Sequence, residues 1–151
     1  MKRLKTIAVF GGSRCSEQEY EISRAMGQIL ARENIAIICG GGSGIMEAVC
    51  RGAREEEGLT IGILPGNDPS EANDFIKIPI ATGMGIARNS IIVRSAPVCL
   101  ALFGAYGTLS EIAYGLQFGK PVVCMGRWSE IEGVIPATNL QQAIREIQNR
   151  I

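Results

Sequence analysis

Ile35-Ala36-Ile37-Ile38-Cys39-Gly40-Gly41-Gly42-Ser43-Gly44-Ile45-Met46 is the stretch on which the fold turns. Its first five residues are apolar and mostly β-branched, the pattern of a short strand buried on both faces. The glycines that follow punctuate it, and from Ile45 to about Glu57 the periodicity becomes helical until Gly58 stops it. Strand, glycine turn and helix form one unit, and this unit recurs in both directions along the chain.

Upstream, Thr6–Phe10 reads as a strand, and a helix follows from about Glu17 to Glu33. Ser16 with Glu19 forms a capping box, and Ile22, Ala25, Met26, Ile29 and Leu30 make one apolar stripe. Downstream, Thr60–Leu64 is a third strand ended by Pro65-Gly66, and 65–74 is an irregular loop rich in turn formers. Phe75–Ile80 reads as a strand that Pro79 places near a sheet edge. A helix over 86–95 precedes the strand Val98–Phe103, and Gly104-Ala105-Tyr106-Gly107 leads into a helix over 109–118. Pro121–Met125 is a further strand, with a short one near Ile135 and a last helix over 140–149.

Alternation of this kind implies parallel strands, and right-handed crossovers then place helices on both faces. The expected fold is α/β: a Rossmann-like, doubly wound parallel sheet forming one domain over residues 1–151. In such a sheet every strand-to-helix loop leaves at one edge, where ligands bind. The glycine clusters at 11–12, 40–44, 83–85 and 104–107 are all loops of this class, so they are expected to converge.

Composition removes other possibilities. Fifteen basic and fifteen acidic residues balance, and no like-charge run exceeds Glu55-Glu56-Glu57, so neither nucleic acid nor a membrane surface is an expected partner. With no histidine, Ser-His-Asp and Cys-His nucleophiles and imidazole metal sites are excluded, and no metal site is expected. Five cysteines without a C-x-x-C spacing fit a reducing cytoplasm; Cys39, Cys99 and Cys124 read as core residues, and Cys15, before a helix, as a loop thiol that the helix could activate. No stretch has the length of a secretory core or a membrane span. Nineteen glycines are nearly double the usual share of about 7%.

Glycine turns feeding helix N-termini present free backbone N–H groups to a phosphate or carboxylate. Gly41, Gly42, Ser43 and Gly44, with Gly12 and Ser13 after the first strand, are therefore candidate ligand contacts, although such glycines also serve plain turns. The spacing matches neither a dinucleotide fingerprint nor a P-loop. Arg88 stands at a helix start, an unfavourable place for a cation unless it binds an anion. Asn89 beside it is a possible hydrogen-bonding partner for a ligand. Thr108-Leu109-Ser110-Glu111 has two readings: a capping box with Thr108 as cap, which the spacing alone favours, or a functional carboxylate at the crevice.

Gly41-Gly42-Ser43-Gly44-Ile45-Met46, Arg88-Asn89 and Gly104-x-x-Gly107-Thr108-x-x-Glu111 together resemble the superfamily once labelled "possible lysine decarboxylases". It holds the Lonely Guy cytokinin-activating phosphoribohydrolases and the molybdenum cofactor carrier proteins. The resemblance runs from Phe10-Gly11-Gly12-Ser13 to Lys120-Pro121-Val122-Val123, and Gly83-Met84-Gly85-Ile86-Ala87-Arg88-Asn89 leans to the carrier branch. Arg88 and Glu111 match the hydrolases' catalytic pair, while Asn89 and Ala105 depart from their pattern. The decarboxylase label fails physically: none of Lys2, Lys5, Lys77 and Lys120 lies in a glycine loop where a Schiff base could be held.

Three functions are thus expected in order. The first is a binder of a phosphorylated nucleotide-like or pterin ligand, requiring no cofactor of its own and carrying molybdenum cofactor as the resemblance implies. The second is an N-glycosidic phosphoribohydrolase acting on a nucleoside 5′-monophosphate, with Arg88 and Glu111 catalytic and Gly104, Gly107 and Thr108 at the phosphate. The third is an assembly protein with no ligand. The resemblance also implies a homodimer or homotetramer, and Ile91, Ile92, Tyr114 and Phe118 are candidates for its apolar face.

Overall fold

Seven strands in the order β4-β3-β2-β1-β5-β6-β7, every pair parallel, form the sheet in the computed structural model, which describes residues 1–151. The strands are β1 (Lys5–Gly11), β2 (Ile35–Cys39), β3 (Thr60–Leu64), β4 (Ile78–Ala81), β5 (Val98–Leu102), β6 (Val122–Met125) and β7 (Ile135–Pro136). The helices are α1 (Glu17–Arg32), α2 (Ile45–Glu55), α3 (Asn89–Arg94), α4 (Tyr106–Gln117) and α5 (Leu140–Gln148).

The period-two alternation of the strands sorts the core into two layers. Ile7, Val9, Ile37, Val98, Leu100 and Val123 face Met26 and Leu30 of α1, Val49 and Ala53 of α2, and Ala143 and Ile147 of α5. Ala8, Phe10, Ile38, Ala101 and Cys124 face Ile92 and Val93 of α3 and Ile112 of α4. Buried on both faces, the central strands show the near-continuous apolar runs that marked them in the sequence.

The chain enters at the middle of the sheet. From β1 it builds outward through β2, β3 and β4, then returns to the other flank of β1 with β5. Neighbouring β1 and β5 lead to helices on opposite faces, α1 and α4, so their C-terminal ends part and open a crevice.

Local chemistry sets the element ends. Ser16 Oγ accepts from the Glu19 N–H and Glu19 Oε1 from the Ser16 N–H, the expected capping box. The strand expected over Phe75–Ile80 begins only at Ile78. Asn73 Oδ1 takes the Phe75 N–H at 3.0 Å, and Thr60 Oγ1 donates to the Phe75 carbonyl at 2.6 Å, which holds 73–77 in a turn. Pro79 does lie on an edge strand. The helix expected over 86–95 is a 3-10 turn, Gly85–Arg88, followed by α3.

α4 departs most from expectation. It starts at Tyr106 with Ala105 as its cap residue, so Thr108 is inside the first turn and caps nothing. The cause lies just upstream: Phe103 at φ 58° and Gly104 at φ 89° swing the chain out of β5 sharply enough for the helix to begin three residues early.

Two glycines let α1 and α2 meet backbone to backbone. A methyl group at Gly27 would run into the Val49 carbonyl, and one at Gly52 into the Arg24 carbonyl. Around this contact Arg24 pairs with Glu55 at 2.8 Å and Arg32 with Glu56 at 2.6 Å.

Candidate functional site

At the sheet's C-terminal edge, between β1 and β5, lies a cavity of about 210 Å³. The turn after β1 supplies Gly11, Gly12 and Ser13, and the turn after β2 supplies Gly40 with Met46 of α2. The 3-10 turn brings Ile86 and Arg88, α3 brings Asn89, and α4 with its cap residue brings Ala105, Gly107, Thr108 and Glu111. Segments up to a hundred residues apart in sequence thus share one small space.

Arg88 is half-buried and fixed at two points. Its Nε donates to the Ile63 carbonyl at 2.9 Å and its Nη1 to Asn89 Oδ1 at 2.8 Å. Asn89, 4% exposed, in turn donates from Nδ2 to Ser110 Oγ at 3.3 Å. Asn89 therefore orients the guanidinium as well as lining the cavity. The remaining terminal nitrogen, Nη2, lies beside Gly40, where a side-chain methyl would sit 2.8 Å from it.

Glu111 is 8% exposed, and no hydrogen bond from the chain acts on its carboxyl. Burial disfavours its charged form, and nearby Arg88 offsets this only in part, so its pKa is pushed up to about 8. Burial thus favours the protonated form, which can donate a hydrogen bond. Thr108 is 2% exposed, and its Oγ1 has no partner in the chain. An orphaned buried hydroxyl costs free energy.

The first turn of α4 adds backbone donors. Ala105 provides no side-chain cap, and the first N–H to pair within the helix is that of Leu109, to the Ala105 carbonyl at 3.1 Å. The N–H groups of Tyr106, Gly107 and Thr108 precede it at the positive end of the helix dipole.

The remaining sequence candidates sit elsewhere. Gly41, Gly42, Ser43 and Gly44 do not line this cavity and serve instead to join loops. The Gly41 and Gly42 carbonyls accept from the Asn73 backbone N–H and side-chain Nδ2. Ser43 Oγ donates to the Ser13 carbonyl at 3.0 Å, and the Ile45 N–H donates to the Gly12 carbonyl at 2.9 Å. Gly104 backs Thr108, since a methyl group there would strike Thr108 Oγ1.

Gly40, which belongs to the glycine run 40–44, and Ala105, noted in the sequence as a departure from the hydrolase pattern, line the cavity together with Met46 and Ile86, which sequence reasoning did not single out as contacts. Sequence reasoning also passed over Arg14 and Arg127, which line an adjoining cavity of about 450 Å³. For Arg14 the signal was present, as it directly follows Gly12-Ser13 in the same loop. Arg127 follows β6 in a loop that leads to another strand, where the strand–helix pattern gave no cue.

Comparison with known proteins agrees with this architecture. The model of the SLOG cluster4 family matches residues 4–150. The molybdenum cofactor binding protein from the phototrophic bacterium Rippkaea orientalis is 33% identical, with a TM-score of 0.92 over 99% of this chain and 98% of that one. The molybdenum cofactor carrier protein from Chlamydomonas reinhardtii is 29% identical, with a TM-score of 0.88 and 98% of both chains covered. A probable cytokinin riboside 5′-monophosphate phosphoribohydrolase from Oryza sativa subsp. japonica is 31% identical over 115 residues, spanning 73% of this chain and 47% of that protein.

Proposed function

The chain belongs to the SLOG cluster4 family, and we propose that it carries a small phosphorylated ligand, nucleotide-like or a pterin such as molybdenum cofactor, in the crevice between β1 and β5. The observation that carries this is the meeting in one cavity of a positioned Arg88, the buried Glu111 carboxyl and the first turn of α4, whose leading N–H groups are unpaired within the helix. The free N–H groups of α4 suit a phosphate, Arg88 supplies the counter-charge, and neutral Glu111 suits a ring carbonyl or nitrogen. Gly12, Ser13, Asn89 and Gly107 complete the contact set, while Gly41–Gly44 and Gly104 hold the loops in place. The likeness to two proteins named for the molybdenum cofactor supports that cargo.

Hydrolysis of an N-glycosidic bond is the second reading, favoured by the presence of Arg88 and Glu111 in one cavity and by the likeness to the rice protein. There Glu111 would have to activate water as a base. A carboxyl raised by burial is compatible with acid–base work as well as with hydrogen bonding to a cargo, so carriage ranks first on the likeness to the molybdenum cofactor proteins over nearly the whole chain.

Native mass spectrometry of freshly purified protein, followed by incubation with a panel of nucleoside 5′-monophosphates, separates the two. A co-purifying pterin, or nucleotide bound and returned intact, is the expected result. Free base with ribose 5-phosphate identifies the hydrolase, and no bound species overturns both. Arg88→Gln is expected to weaken binding about 10- to 100-fold, the range for losing a charge-assisted hydrogen bond.

Self-association belongs to the same reading. Tyr114 is 38% exposed and stacks on Phe118, half-buried Ile91 lies on neighbouring α3, and Ile92 is taken up by the core. Light scattering is expected to give a dimer or tetramer, and Tyr114→Glu to shift it toward the monomer.

A further inference from the structure

The cavity of about 450 Å³ beside the Arg88–Glu111 cavity shares Gly12, Ser13 and Ala105 with it, so the two form a continuous trough across the start of α4. Its charged lining is Arg14, Glu19 and Arg127. The ion pairs of the chain are made by Arg24, Arg32, Arg51 and Arg150, so neither Arg14 nor Arg127 is neutralised by a carboxylate. Arg127 sits over the Trp128 ring, 4.3 Å from its centroid, a cation–π contact that steadies the guanidinium. Glu19 also lines this cavity, one of its oxygens accepting from the Ser16 N–H at 3.2 Å, so two cations stand against one carboxylate there. Both arginines lie on the far side of the α4 N-terminus from Arg88.

The geometry points to a second anion subsite, formed by Arg14 and Arg127, which makes the preferred ligand a diphosphate: its ring lies in the Arg88–Glu111 cavity, its first phosphate at the α4 N-terminus, and its terminal phosphate between the two arginines. This rests on the crevice being a ligand site and narrows the ligand class within it. A monophosphate leaves the arginines hydrated, whereas a diphosphate meets both with charge-assisted, bidentate hydrogen bonds.

Isothermal titration of the full chain at physiological ionic strength with adenosine and guanosine 5′-monophosphates and the matching 5′-diphosphates tests it. The diphosphate of at least one pair is expected to bind about tenfold or more tightly than its monophosphate, the size of one good charge-assisted contact. The double variant Arg14→Gln/Arg127→Gln is expected to erase that ratio. Both side chains are exposed, so the fold survives their replacement, which a melting curve verifies. Equal affinities in the wild-type chain, or a ratio that persists in the double variant, overturn the subsite and leave the crevice standing. Failure of all four nucleotides to bind overturns the subsite, and the crevice itself then falls only if no pterin co-purifies either.

Discussion

Arg88 and Glu111 line one cavity without forming an ion pair: the Arg88 guanidinium is spent on the Ile63 carbonyl and Asn89 Oδ1, and the Glu111 carboxyl stays uncharged through burial. A direct pair would have cancelled both groups. Kept apart, one remains a cation and the other a neutral donor, a combination suited to a ligand with an anionic end and a polar ring.

The protonation of Glu111 has a thermodynamic signature. Its folded-state pKa of about 8 lies above the ordinary glutamate value of 4.5, so the native chain holds a proton that the unfolded chain releases between those values. Stability should therefore fall as pH rises from about 4.5 through about 8. Glu111→Gln removes the penalty and is expected to be more stable than the wild-type chain above pH 8, by on the order of a few kcal/mol. Melting temperatures of both proteins across this range check it; parallel curves would show an ordinary carboxylate.

Thr108 offers a sign test. Replacing its orphaned hydroxyl with a methyl group, Thr108→Val, removes a buried polar atom that nothing in the chain satisfies. Without ligand the variant is expected to be as stable as the wild type or slightly more so, within about 1 kcal/mol. Nucleotide or pterin affinity is expected to drop. A clear loss of stability with unchanged affinity would mean the hydroxyl serves the fold.

Gly52→Ala sets helix propensity against packing. In an open helix the change would stabilise by about 1 kcal/mol. Here the methyl group meets the Arg24 carbonyl of α1, and overpacking of this kind costs about 1–3 kcal/mol or more. A net loss in chemical denaturation is expected, and a gain would show that the helices can separate at no cost.

Cys15 should be a slow nucleophile. Its position before α1 left open a helix-activated thiol, with an unreactive loop thiol the favoured reading, and burial with the charges of Glu19 and Glu47 raises its pKa in line with the latter. The other four cysteines are buried. Iodoacetamide on the native protein is expected to label Cys15 first and more slowly than a free cysteine, as read by mass spectrometry.

What the sequence disclosed were features written in local chemistry. The apolar runs at 35–39 and 60–64 gave their strands to the residue, and Ser16 with Glu19 gave the start of α1. The convergence of loops followed from parallel topology, and the glycines at 11–12 and 107 do share the cavity. The start of α4 was hidden because positive φ at Phe103, a non-glycine, is set by tertiary packing and has no sequence signal. The glycine run at 41–44 lies outside the lining of this cavity, and its carbonyls and the Ser43 hydroxyl join the turns after β1, β2 and β3, a role that only the folded loops reveal. Gly27 and Gly52 gave no cue, since their meaning is a distance between two helices.

That helix contact governs how the rim of the crevice behaves mechanically. α1 and α2 are clamped at Gly27 and Gly52, and the turns that feed them are stitched together by Ser43 and Ile45. This makes one bank rigid. The opposite bank carries the short 3-10 turn, with Gly83 and Gly85 at positive φ and Met84 and Ile86 out in solvent. The two sides of the crevice are thus built differently: Gly12 and Ser13 stand on cross-linked loops, whereas beside the anchored Arg88 the chain offers only a short, solvent-facing turn.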